Sequence, residues 1–118
     1  MSQLLKLLSA LGLSLFLATS GLADPITPQE ALQHIGDTES VAGVVSQVST
    51  SKGGTTFINF GGRYPNHIFY AVIFKRYADE FPGVHALEGK SVEITGTIEL
   101  YKGKPQIILT SPSQISIH

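Results

Sequence analysis

Four basic residues, Lys52, Arg63, Lys102 and Lys104, stand in glycine-rich turns close to Tyr64, Asn66 and Tyr101. Lysine and arginine hold phosphate oxygens, and an exposed aromatic ring stacks on a base for about 1–3 kcal/mol. These seven residues form the candidate ligand-binding set, and single-stranded nucleic acid is the ligand their chemistry suits. The plain alternative is that turns are where solvated lysines collect, and a Lys-Gly hairpin needs no ligand. Phe57, Phe60, Phe69, Tyr70 and Phe74 offer further stacking platforms, but large aromatics in apolar strands mostly fill cores.

Catalytic and metal chemistry find no matching pattern. His34, His67, His85 and His118 are scattered without ligand spacing between any pair, and the chain has no cysteine. No metal site or cofactor is therefore expected. Asp79 and Glu80 are sequence neighbours on a helical pattern, where adjacent side chains point apart rather than converge. No serine sits in a nucleophile motif with a base. The expectation is a non-catalytic protein.

The elements that position these residues begin after a leader. Met1 to Lys6 is short and positively charged, Leu7 to Ala18 is apolar, and Gly21-Leu22-Ala23 offers small residues at a cleavage site. This reads as a secretory signal peptide, residues 1–23, cut before Asp24. The apolar run is short of the roughly 20 residues a bilayer span needs, so no membrane span is expected after cleavage. A periplasmic or secreted location follows from that reading. Residues 24–118 make one domain, braced by packing alone because no disulfide can form. With Lys6 lost, seven basic residues face nine acidic ones, a formal charge of −2. That is a poor global charge for a nucleic-acid binder, although a local patch can still serve.

Pro25 to Gly36 reads as a short covering helix, with Thr27 and Glu30 as a capping box, Pro28 at its first turn and Leu32 and Ile35 as its apolar edge. Glu39 to Thr50 is a strand whose alternation slips at Gly43, where a bulge would let it serve both halves of a barrel. Thr55 to Phe60 and the all-apolar Ile68 to Phe74 are the next two strands. Lys75 to Phe81 switches to helical period, with Phe74, Tyr77, Ala78 and Phe81 on one face. Val92, Ile94, Ile98 and Leu100 then alternate with Glu93, Thr95, Thr97 and Glu99 around Gly96, and Tyr101 points outward with the polar set. Lys102-Gly103 turns the chain into a last strand through Ile107 and Leu109, and Ile115 and Ile117 read as packing residues.

Three strands, a helix and two strands in this length are the plan of an all-β, five-stranded OB-fold Greek-key barrel. The stretches Gly54-Thr55-Thr56-Phe57-Ile58-Asn59-Phe60-Gly61-Gly62, Tyr64-Pro65-Asn66, Leu87-Glu88-Gly89-Lys90, Ile94-Thr95-Gly96 and Tyr101-Lys102-Gly103-Lys104-Pro105-Gln106-Ile107 resemble a bacterial exported OB-fold family similar to anticodon-binding OB domains. The resemblance implies a binding module with nucleic acid as its ligand class. In such a barrel the ligand lies across strands 2 and 3, between the loop joining strands 1 and 2 and the loop joining strands 4 and 5. The alternative expectation is an envelope protein that holds a small molecule, a saccharide or a protein partner in the same groove. The negative charge and the wet-face glutamates Glu93 and Glu99 favour that alternative.

Overall fold

The thirteen residues of β1 (Thr38–Thr50) are enough to pair with two different neighbours. Thr38 to Val44 run antiparallel to β4 (Ser91–Tyr101), and Val45 to Thr50 run antiparallel to β2 (Thr56–Phe60). β2 pairs with β3 (Phe69–Ile73), β3 lies parallel to β5 (Lys104–Ile108), and β5 returns antiparallel to β4. The circuit β1–β2–β3–β5–β4–β1 closes on itself, which is the OB-like barrel the strand pattern predicts. A sixth strand, β6 (Ile115–Ile117), extends the sheet from β4. The structure, a computed structural model, describes residues 24–118, so the expected signal segment lies outside the described residues. Among the described residues, no helix is long and apolar enough to cross a membrane.

β1 changes partner at a bulge, but not where the apolar phase suggests. The register jumps from Val45 opposite Phe60 to Gln47 opposite Asn59, which makes Ser46 the extra residue rather than Gly43. Gly43 answers a different need, close packing: a Cβ there would stand 3.0 Å from the Pro28 ring and 3.3 Å from the Phe60 ring. Gly96 is its counterpart on β4, where a Cβ would meet the Ile107 side chain at 2.6 Å. Between these two approaches lies the core. Val48, Ile58, Ala71, Ile107 and Ile98 stand opposite one another across all five barrel strands and are all buried. Burial of each large aliphatic side chain stabilises the fold by about 1.5–3 kcal/mol.

The two expected helices form as 3₁₀ turns, and the tighter winding changes which residues they bury. In Pro28–His34, three residues per turn put Pro28 and Ala31 on the inner face, while Leu32 and Ile35, expected there, are exposed. The Glu30 carboxylate closes the first turn by accepting from the Thr27 N–H at 2.9 Å and its hydroxyl at 3.0 Å. Those bonds, the backbone one foremost, hold the Glu30 carboxyl below its ordinary pKa. Lys75–Glu80 turns Lys75, Arg76, Asp79 and Glu80 outward, and Phe81 just beyond it is buried. Leu100 departs from its expected place in the buried series because β4 runs past the barrel there. It is exposed in the hairpin, opposite Pro105.

Candidate functional site

Alternation along each strand places a second row on the barrel's outer face, back to back with the core row. Gln47, Asn59, Tyr70 and Gln106 stand opposite one another across β1, β2, β3 and β5. An outer face is ordinarily wet, yet Asn59, Tyr70 and Gln106 are only 2%, 5% and 7% exposed. Their cover comes from the turn at residues 61–68, which folds back over the sheet. The bulge holds one side of that turn, since Ser46 Oγ accepts from the Gly62 N–H at 3.1 Å and Gln47 Oε1 from the Tyr64 N–H at 2.8 Å. Lys104 holds the other side by donating to the carbonyls of Pro65 and His67. Gly62 is required in the turn, because its φ of 143° and a neighbouring Asn66 carbonyl oxygen 2.9 Å from any Cβ exclude a side chain.

The turn and the β4–β5 hairpin enclose a groove of about 370 Å³ over this row. The Tyr64 ring stacks on His67 at 5.8 Å, His67 meets Tyr70 edge-on at 5.4 Å, and Phe57 lies tilted 6.0 Å from Tyr70. Tyr101 and Lys102 form the facing wall. Lys102 and Gly103 have φ of 50° and 82°, the left-handed pair of a type I′ hairpin. Asn or Gly is usual where Lys102 stands, so the chain holds a lysine in a strained conformation at the groove edge. Its ammonium sits 5.3 Å from the centre of the Tyr101 ring.

Burial sets the electrostatics. Desolvation, reinforced by the Lys104 cation, pushes the His67 pKa below its ordinary value. Burial, reinforced by Tyr101, pushes the Tyr70 hydroxyl up. Tyr70 is well served, donating to Gln106 Oε1 at 2.6 Å. Asn59 is only half served. Gln47 Oε1 accepts from a backbone N–H, so the Asn59 atom 3.0 Å from it must be the amide nitrogen. The carboxamide oxygen of Asn59 is then a buried acceptor without a partner, and His67 Nδ1 is likewise buried and unpaired. An unmet buried polar group costs about 1–3 kcal/mol.

Of the seven expected ligand-binding residues, four meet at this groove: Tyr64, Tyr101, Lys102 and Lys104. Lys52, Arg63 and Asn66 do not line it. Lys52 is at the β1–β2 tip, while the Arg63 carbonyl accepts from the Asn66 N–H at 2.7 Å within the turn itself. Lys104, expected to contact phosphate, has its ammonium bound to two backbone carbonyls instead. Glu93 and Glu99 also lie outside the lining, and Glu93 is paired to His118 at 2.6 Å. Gln47, Asn59 and His67 are the residues sequence reasoning missed. Only Asn59 carried a local signal, a polar residue between Ile58 and Phe60 in an apolar strand, where asparagine is disfavoured.

The remaining histidines are dispersed, His34 beside Asp37 at 3.3 Å and His85 beside Thr50 at 3.2 Å. Among the described residues, no group of three His, Cys, Asp or Glu side chains gathers. A larger hollow of about 410 Å³ between Phe81, Val84, Leu87, Ile115 and Ile117 is more open and mostly apolar, with Glu80 its one charged lining residue. The aromatic groove, by contrast, is lined by Asn59, His67, Lys102 and Lys104 as well as by rings.

No family model matches the chain, and no curated protein does. Solved structures do. The OBody AM1L10 bound to hen egg-white lysozyme is 22% identical, with TM-score 0.58, covering 82% of this chain and 95% of that one. The OBody AM3L09, also bound to hen egg-white lysozyme, is 16% identical, with TM-score 0.58 over 81% and 95% of the two chains. Asparaginyl-tRNA synthetase from Pyrococcus horikoshii is 16% identical, with TM-score 0.54, covering 81% of this chain but 23% of the synthetase. At these identities the likeness is one of fold, and it agrees with the barrel circuit traced by the strand pairing.

Proposed function

We propose that this chain is a non-catalytic, exported binding module, periplasmic or secreted, that holds single-stranded nucleic acid in the groove over β2 and β3. The observation that carries the reading is the concentration of Phe57, Tyr64, His67, Tyr70 and Tyr101 around one 370 Å³ groove with Lys102 at its edge. Such rings stack on bases of any sequence, and the lysine supplies a phosphate contact. Lys104 is committed to the turn, so the salt dependence is shallow. Each neutralised phosphate of a single strand contributes a slope of about −0.7 in log affinity against log salt. Titration of a labelled oligonucleotide at two salt concentrations tests this. Absence of binding at low salt defeats the proposal.

The thin cationic lining favours one alternative, a neutral saccharide or a protein surface packed on the same rings. The two OBodies, similar in fold, are bound to a protein. A melting shift with sugars but not with oligonucleotides, or capture of an envelope protein that Tyr64→Ala abolishes, selects that reading.

A further inference from the structure

The nucleic-acid reading accounts for the rings but not for the two unpaired atoms beneath them. Asn59 Oδ1 and His67 Nδ1 are buried without partners, in side chains that both line the groove. The rest of the row shows that the fold does not force this, since Tyr70 and Gln106 complete each other's bond on the neighbouring strands. Buried polar groups are nearly always paired, so two exceptions among the residues lining one groove call for a ligand that completes them.

We propose that Asn59 and His67 read the hydrogen-bonding edge of one nucleobase, so that binding depends on which base occupies the groove. The proposal rests on the nucleic-acid reading above and narrows it. Asn59 Oδ1 can only accept, which excludes phosphate and carboxylate oxygens as its partner and calls for a donor on the ligand; on the nucleic-acid reading the N–H groups of a base supply it. His67 Nδ1 supplies a second contact, donor or acceptor according to its tautomer. A flat ring carrying an N–H beside another polar atom satisfies both while lying among the aromatic side chains. Every nucleobase has such an edge, but the order of donors and acceptors along it differs from base to base.

Tyr64 connects the two readers. Its ring lies on His67, and its N–H donates to the Gln47 oxygen that also holds Asn59. Tyr64 is 73% exposed, so it is the cover most easily turned aside to admit a base.

The test measures anisotropy of labelled oligothymidylate, oligocytidylate, oligoadenylate and an abasic strand of equal length, at one low salt concentration. It uses the native protein, His67→Phe and Asn59→Leu, with melting curves for each. His67→Phe keeps the ring stack and removes Nδ1. In the native protein the three homopolymers should differ by at least about five-fold, the low end of a paired base-edge contact, and the abasic strand should bind weakest. In His67→Phe the spread should shrink to about two-fold with the salt slope unchanged. Equal affinity for the three homopolymers in the native protein overturns the inference and leaves the nucleic-acid reading standing. A spread preserved in His67→Phe overturns it too. Failure of every strand to bind overturns both. If Asn59→Leu melts without cooperativity, the native protein and His67→Phe still decide.

Discussion

Two outer faces of the same barrel carry polar side chains and are built on opposite terms. Across β1 and β4, Thr38 faces Thr97 and Ser40 faces Thr95, hydroxyl to hydroxyl at 3.2 and 2.7 Å, with water within reach. Each of those groups can exchange its partner for water at little cost. Across β2, β3 and β5 the polar row is sealed beneath a turn and aromatic rings, and one atom of the row, Asn59 Oδ1, and one of the turn, His67 Nδ1, have no partner. A solvated sheet surface explains the first face completely. The second carries a desolvation cost that the fold alone does not recover, and such uncompensated cost concentrates where a ligand completes the structure.

The sharpest way to break this contrast is to remove aromatic surface from one face and hydroxyls from the other. Tyr64→Ala combined with Tyr101→Ala should lower affinity for a single strand by about 1–3 kcal/mol per ring, or about thirty-fold and more in total. Thr95→Ala should leave the titration where it was. Comparable losses from both faces would mean that the groove is not the binding surface.

Stability separates the faces next. Tyr70→Phe keeps the ring but takes the donor from Gln106 Oε1, leaving a buried carbonyl unmet at about 1–3 kcal/mol. Ser40→Ala removes a hydroxyl whose partner can turn to solvent, and should fall within about 0.5 kcal/mol of the native protein. Urea unfolding of the two variants measures the difference directly.

Acid sharpens the contrast further. His67 has its folded pKa below the ordinary 6.5, through burial and then the Lys104 cation, so the unfolded chain takes up its proton first. Stability rises with pH wherever the unfolded state binds more protons. The His67 contribution is therefore lost as pH falls through 6.5 and levels off below the folded pKa. The melting temperature of the native protein should drop over that window relative to His67→Phe, which cancels the other titrating groups. Parallel curves would show that the imidazole is not desolvated in solution.

The sequence made the barrel legible and the site only half so, for physical reasons. Strand alternation is periodic and local, so Val92, Ile94 and Ile98 were found buried as predicted, and Lys102-Gly103 turns the chain where the pattern required. The Tyr64 and Tyr101 walls were legible because exposed aromatics in turns have few structural uses. The polar row was not, because it exists only when β1, β2, β3 and β5 come into register, and that register depends on a bulge at Ser46 that apolar phase misplaces by three residues. The role of Lys104 was hidden for a related reason. Its ammonium reaches carbonyls 37 and 39 residues earlier in the chain, a contact no local pattern announces.

That difference between the two hairpin lysines yields the smallest effect and the most discriminating one. Lys102→Asn relieves a left-handed backbone that costs most L-residues about 1–2 kcal/mol and asparagine less. It also removes the contact with Tyr101, worth about 0.5–1 kcal/mol at an exposed site. The two changes oppose each other, so stability should stay within about 0.5 kcal/mol of the native protein. The salt slope for a single strand should nevertheless shrink by about 0.7, one phosphate contact. Lys104→Met should do the reverse, loosening the turn over the polar row while moving the slope little, because its charge already faces the Pro65 and His67 carbonyls. If Lys104 carried the slope and Lys102 did not, the turn would be held by something other than that ammonium, and the sealed face would lose the clamp that distinguishes it from the open one.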